Sequence, residues 1–142
     1  MADELQQSEP GRDTGGAGAT TTAQRESFAI LHSDELERTG SWRLVRRSLD
    51  CRAFGVNLVE LAPGEELPEH DESARDQEEL FFVLEGSPTL MIDGGAHEAP
   101  AGTFARIDPE HRRTVRNEGE GSASLLIVSA PRSSGYVAME WA

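Results

Sequence analysis

An all-β fold of the jelly-roll kind behind a disordered amino-terminal tail is what this sequence predicts, and three observations carry that expectation. Short extended runs recur from Trp42 onward at spacings of about ten residues. The segments between them, Pro63-Gly64, Glu85-Gly86, Asp93-Gly94-Gly95, Ala101-Gly102, Asp108-Pro109 and Asn117-Glu118-Gly119, have stereochemical reasons to turn. No helical pattern alternates with the runs, as a parallel α/β sheet would require.

Residues 1–26 are rich in Gly, Ala, Thr, Gln and charge and show no apolar periodicity. Nothing there offsets the entropy of ordering the backbone, so a disordered tail is expected. Phe28-Ala29-Ile30-Leu31 is a candidate edge strand, and Ser33-Asp34-Glu35-Leu36-Glu37 reads as a cap and one helical turn. The extended runs follow at 42–48, 53–61, 80–84, 89–92, 103–107, 114–116 and 123–129. They are expected to form one domain over 27–135, with 136–142 as a carboxy-terminal extension.

Composition excludes some classes of partner. Acidic residues number 26 against 13 basic ones, a net charge of -13, which disfavours nucleic acid and anionic membrane surfaces. Every basic residue is arginine, and Arg43, Arg46, Arg47 and Arg52 form a local cluster, for which solvated faces or ion pairs with acidic loops are an adequate explanation. The single cysteine, Cys51, allows no internal disulfide and reads as a small core residue. The acidic start and the absence of a long apolar run give an expectation of a soluble, cytoplasmic protein.

The stretch from Gly64 to Gly86 resembles the first motif of the cupin superfamily of small jelly-roll barrels. That motif reads glycine, five residues, histidine, any residue, histidine, three or four residues, glutamate, six residues, glycine. Gly64, His70, Glu79 and Gly86 fit both ends. Glu72 stands at the second histidine, and six residues separate it from Glu79. In the second motif, Gly102 and Asn117 keep the family's separation, while Arg113 occupies the histidine position. Arginine offers only donors and cannot ligate a metal. The resemblance therefore implies a cupin-type jelly-roll β-barrel whose three-histidine metal centre is incomplete.

Two functions follow from that resemblance. One is a barrel that binds a small organic ligand, with Arg113, Phe81, Val83 and His70 as contacts and the arginine gripping a carboxylate bidentately. The other is a metal-dependent enzyme, a dioxygenase, isomerase or lyase, with a reduced ligand set drawn from His70, Glu72, Glu79 and His111 and holding Fe, Mn, Zn or Ni. His111 enters because it lies two residues before Arg113, on the same face if the strand reaches it. A buried Glu79 needs a metal, a cation or a proton, so an ion pair with Arg113 is expected where family members hold a metal. His97, in a turn, and His32 are expected outside the site. A homodimer through the apolar 28–31 segment is also expected.

Overall fold

The computed structural model describes residues 25–142; the expected tail lies, but for its last two residues, outside them. The strands are β1 (Arg38–Thr39), β2 (Trp42–Arg43), β3 (Gly55–Leu61), β4 (Gln77–Glu85), β5 (Thr89–Ile92), β6 (Gly95–Glu98), β7 (Phe104–Ile107), β8 (Arg113–Arg116) and β9 (Ala123–Pro131). All pair antiparallel, in a large sheet ordered β1-β2-β3-β9-β4-β7 and a small one ordered β6-β5-β8. Single bridges, Glu66 to Arg116 and His70 to Arg113, lay the segment leading out of β3 along β8. No continuous ladder joins the two sheets all the way round. The expected closed barrel is thus an open jelly roll of two facing sheets.

Strand alternation sorts the core from the outer surface. Glu79, Phe81 and Val83 on β4 are buried, whereas Glu78, Leu80 and Leu84 are exposed. Val59 and Leu61 on β3, Leu125 and Ile127 on β9, Leu90 on β5 and Val115 on β8 complete the same cluster from both sheets. Burying a side chain such as Phe81 contributes roughly 1.5–3 kcal/mol. Asn117 holds the end of β8 in place, its amide donating to the carbonyls of Leu61 (2.9 Å) and Gly121 (2.8 Å).

Several local expectations are corrected. Residues 42–48 are not one strand: β2 ends at Arg43, and Val45–Leu49 form a short helix, α1. Val45 and Leu49, four apart, are half-buried while Arg46 and Arg47 are exposed, which is a helical period. Phe28 to Leu31 form no strand and pair with none among the described residues, and Phe28 and Ile30 are exposed. The turn at Ser33–Glu35 is capped by His32, not Ser33, and closed by Glu35 in a capping box. His97 is exposed as expected, but lies on β6, paired with Leu90, rather than in the turn. Among the described residues no helix is long and apolar enough to cross a membrane.

Candidate metal centre

The site lies between the two sheets and is supplied from both. His70 and Arg113 exchange backbone hydrogen bonds in both directions, at 3.1 and 2.8 Å. Directly opposed residues of an antiparallel pair project to the same face, so both side chains enter the interior together. Glu79 approaches from the other side, on the inner face of β4, where its register partners are Ile107 and Ser129.

Glu72 reaches the same place despite the lengthened motif. The extra residues fold into a 3-10 turn, Ser73–Arg75, followed by Asp76 in the left-handed region with φ 50°. That turn absorbs the added length, while the Glu72 N–H donates to the Pro109 carbonyl at 2.9 Å. The result is a half-buried carboxylate beside His70.

The ring of His70 is oriented by Pro68. Its Nδ1 lies 3.0 Å from the Pro68 carbonyl, which can only accept, so Nδ1 carries the hydrogen. The other ring nitrogen, Nε2, faces Glu72 Oε1 at 3.2 Å and Glu79 Oε1 at 3.8 Å. A ring nitrogen and two carboxylates converge where only a cation or a proton makes the arrangement favourable. His70, Glu72 and Glu79 each offer a ligand atom within 4.8 Å of the others.

Arg113 and Glu79 form the expected contact, Nε to Oε1 at 3.1 Å, with side chains 1% and 9% exposed. The contact is not aligned as a hydrogen bond, and both atoms are left without a hydrogen-bond partner. Burial raises the pKa of Glu79 above its ordinary 4.5; Arg113 and His70 oppose the rise, and Glu72 adds to it. The orphaned Oε1 keeps a lone pair unspent, so the ion pair steadies one side of Glu79 without filling the site. A nitrogen and two carboxylates, one supported by an outer cation, fit a first-row divalent metal.

Arg113 does not serve as the expected carboxylate grip. One terminal nitrogen donates to the His111 carbonyl at 2.6 Å, and the other lies 3.4 Å from the Ile107 carbonyl and 3.5 Å from that of Asp108. With those donors engaged and the side chain buried, no bidentate fork faces a ligand. His111 is likewise not brought to the centre. Strand β8 begins only at Arg113, so strand parity does not extend to His111; it is exposed, with Nδ1 2.6 Å from Asp93 Oδ2. Phe81 lines the cavity with Trp42, Leu67 and Ile127, whereas Val83 sits further along β4 in the core. The cavity holds about 170 Å³.

The family model of the cupin domain matches residues 57–129, which span β3 to β9 and every residue of the centre. The chain belongs to the cupin superfamily. Among solved structures, this cupin is similar to a cupin protein from Bacteroides fragilis, at 20% identity and TM-score 0.69 over 80% of this chain and 92% of that one. It is also similar to a sugar phosphate isomerase of the cupin superfamily from Silicibacter pomeroyi, at 24% identity and TM-score 0.61 over 72% and 75% of the two chains. A predicted oxalate decarboxylase from Thermotoga maritima aligns at 17% identity and TM-score 0.61, over 72% of this chain and 99% of that one. At such identities the likeness speaks for the fold alone. No protein of curated function matches the chain significantly.

Proposed function

We propose that this cupin binds a divalent metal through His70, Glu72 and Glu79 and, beside that metal, a small organic ligand in the cavity between the sheets. The observation that supports this most is the Nε2 atom of His70 facing two carboxylate oxygens, 3.2 and 3.8 Å away. Nitrogen and oxygen donors without sulfur suit Mn, Fe, Zn or Ni. When bound, such a metal polarises an oxygen of the ligand as a Lewis acid. Pro68 fixes the histidine tautomer, Arg113 steadies the Glu79 carboxylate, and Trp42, Phe81 and Ile127 supply an apolar wall.

Metal analysis of the full chain purified without chelator tests this reading. One equivalent of metal in the parent is expected, lost in both His70→Ala and Glu79→Gln. A parent that takes up no metal when incubated with Mn(II) or Zn(II) would overturn it. A second reading, metal-dependent catalysis, draws support from the small ligand set, because three protein ligands leave positions open for both substrate and water. Product formation that tracks metal occupancy across the variants would select it.

A further inference from the structure

A larger cavity, of about 690 Å³, opens next to the metal centre, and Asn57 lines both. Its wall carries Arg46, Arg52 and Arg75 together with Phe54, Gln77 and Ser129, and no Asp or Glu, in a chain of net charge -13. Ion pairing accounts for the rest of the local arginine cluster: Arg43 is held by Glu60 at 2.9 Å and Arg47 by Glu37 at 3.1 Å. Arg46 and Arg75 pair with no carboxylate among the described residues. The nearby carboxylates in sequence are already engaged, Asp50 by Arg25 and Arg52, and Asp76 by Arg132. Arg46 and Arg75 thus bring uncompensated positive charge to this concave surface, with the Asp50-paired Arg52 beside them, and an anion seated there offsets it.

The register connects this basic cavity to the metal centre. Gln77 lies two residues before Glu79 on the same face of β4, about 7 Å away along the strand. Ser129, in the basic wall, is the register partner of Glu79 on one side and of Gly55 on the other. A Cβ at Gly55 would overlap Ser129 Oγ, so the hydroxyl in this part of the wall needs a glycine opposite it.

We propose that the Arg46–Arg52–Arg75 cavity binds the oxyanion group, phosphate or carboxylate, of a small organic ligand whose other end reaches the metal centre. The bridging part rests on the metal reading; the oxyanion site does not. The test begins with metal-free full chain, titrated separately with inorganic phosphate and with succinate while the backbone amides of Gly55, Asn57, Gln77 and Ser129 are followed by NMR. Saturable shifts at those amides are expected, with phosphate alone indicating a phosphate ester and succinate alone a carboxylate. In the Arg46→Gln/Arg75→Gln double variant, whose sites are exposed and leave the core untouched, affinity is expected to fall about tenfold for each arginine removed. Absence of saturation with either anion, or equal affinity in parent and double variant, would overturn the site. For the bridge, 3-phosphoglycerate is expected to bind the Zn(II)-loaded chain more tightly than inorganic phosphate does, with Glu79→Gln removing that gain. A missing gain while zinc still binds would sink the bridge, and failure of zinc to bind would sink the metal reading alone.

Discussion

Replacing Arg113 by leucine removes the cation beside Glu79 and leaves an apolar side chain in a site that is 1% exposed. Breaking a buried pair from one side costs about 3–5 kcal/mol when the remaining charge stays ionised. Glu79 can escape by taking a proton. Between its ordinary value of 4.5 and pH 7 lie 2.5 pH units, at about 1.36 kcal/mol each, so its share of the loss has a ceiling of about 3.4 kcal/mol at pH 7. At pH 5 the same reasoning leaves about 0.7 kcal/mol. A further ~1–2 kcal/mol, independent of pH, comes from the carbonyls that Arg113 now serves.

A carboxylate whose pKa is raised on folding binds its proton more tightly in the folded chain. Its contribution to stability therefore grows as pH falls from above the folded value toward 4.5. Leucine at 113 raises Glu79 further, so the variant gains more on acidification than the parent. Urea unfolding at pH 7 and pH 5 is expected to show the stability gap between parent and Arg113→Leu shrinking by at most about 2.7 kcal/mol, less the share that the parent's own raised Glu79 already bears. Adding Glu79→Gln to the variant should abolish that shrinkage. A gap of equal size at both pH values, or one that Glu79→Gln leaves unchanged, would refute the assignment of Glu79 and Arg113 as a coupled buried pair.

Gly86 closes the first motif with φ 79°, and a Cβ there would lie 2.6 Å from the Ser122 carbonyl oxygen. Gly86→Ala is expected to cost about 2–4 kcal/mol in urea unfolding, from left-handed strain and overlap together, and a cost below ~1 kcal/mol would contradict that geometry. At the start of β8, the hydrogen bond from His111 lowers the pKa of Asp93 below its ordinary 3.8 and in return raises that of His111 above 6.5. The histidine's contribution to stability is full below 6.5 and lost as pH rises through its raised value; that of the aspartate is full above 3.8 and lost as pH falls through its lowered one. The tie is thus fully charged between those two ordinary values, and Asp93→Asn should bring the NMR titration of His111 back down toward 6.5.

The sequence made the architecture legible because the preserved motif residues answer to backbone geometry. Gly64, Gly86 and Gly102 all have positive φ, and Asn117 bonds carbonyls across the core, so these positions persist whatever the chemistry of the site. The Glu79–Arg113 contact was legible too, since an inner-face carboxylate needs a metal, a cation or a proton and Arg113 stands at the matching position of the second motif. Glu72 was obscured by spacing alone: nothing in a count of six residues reveals that three of them coil into a turn. His111 misled because strand parity was extended past the first residue of β8. The basic cavity had a signal in the local arginine cluster, yet only the fold shows which arginines find carboxylates and which do not.

The central claim is that His70 Nε2 faces two carboxylates as a metal ligand, and the imidazole nitrogens report on it directly. In long-range 1H–15N spectra of the metal-free full chain, added Zn(II) is expected to shift His70 Nε2 at one equivalent while Nδ1 stays protonated against Pro68. Nε2 found protonated and unmoved by zinc would contradict the account.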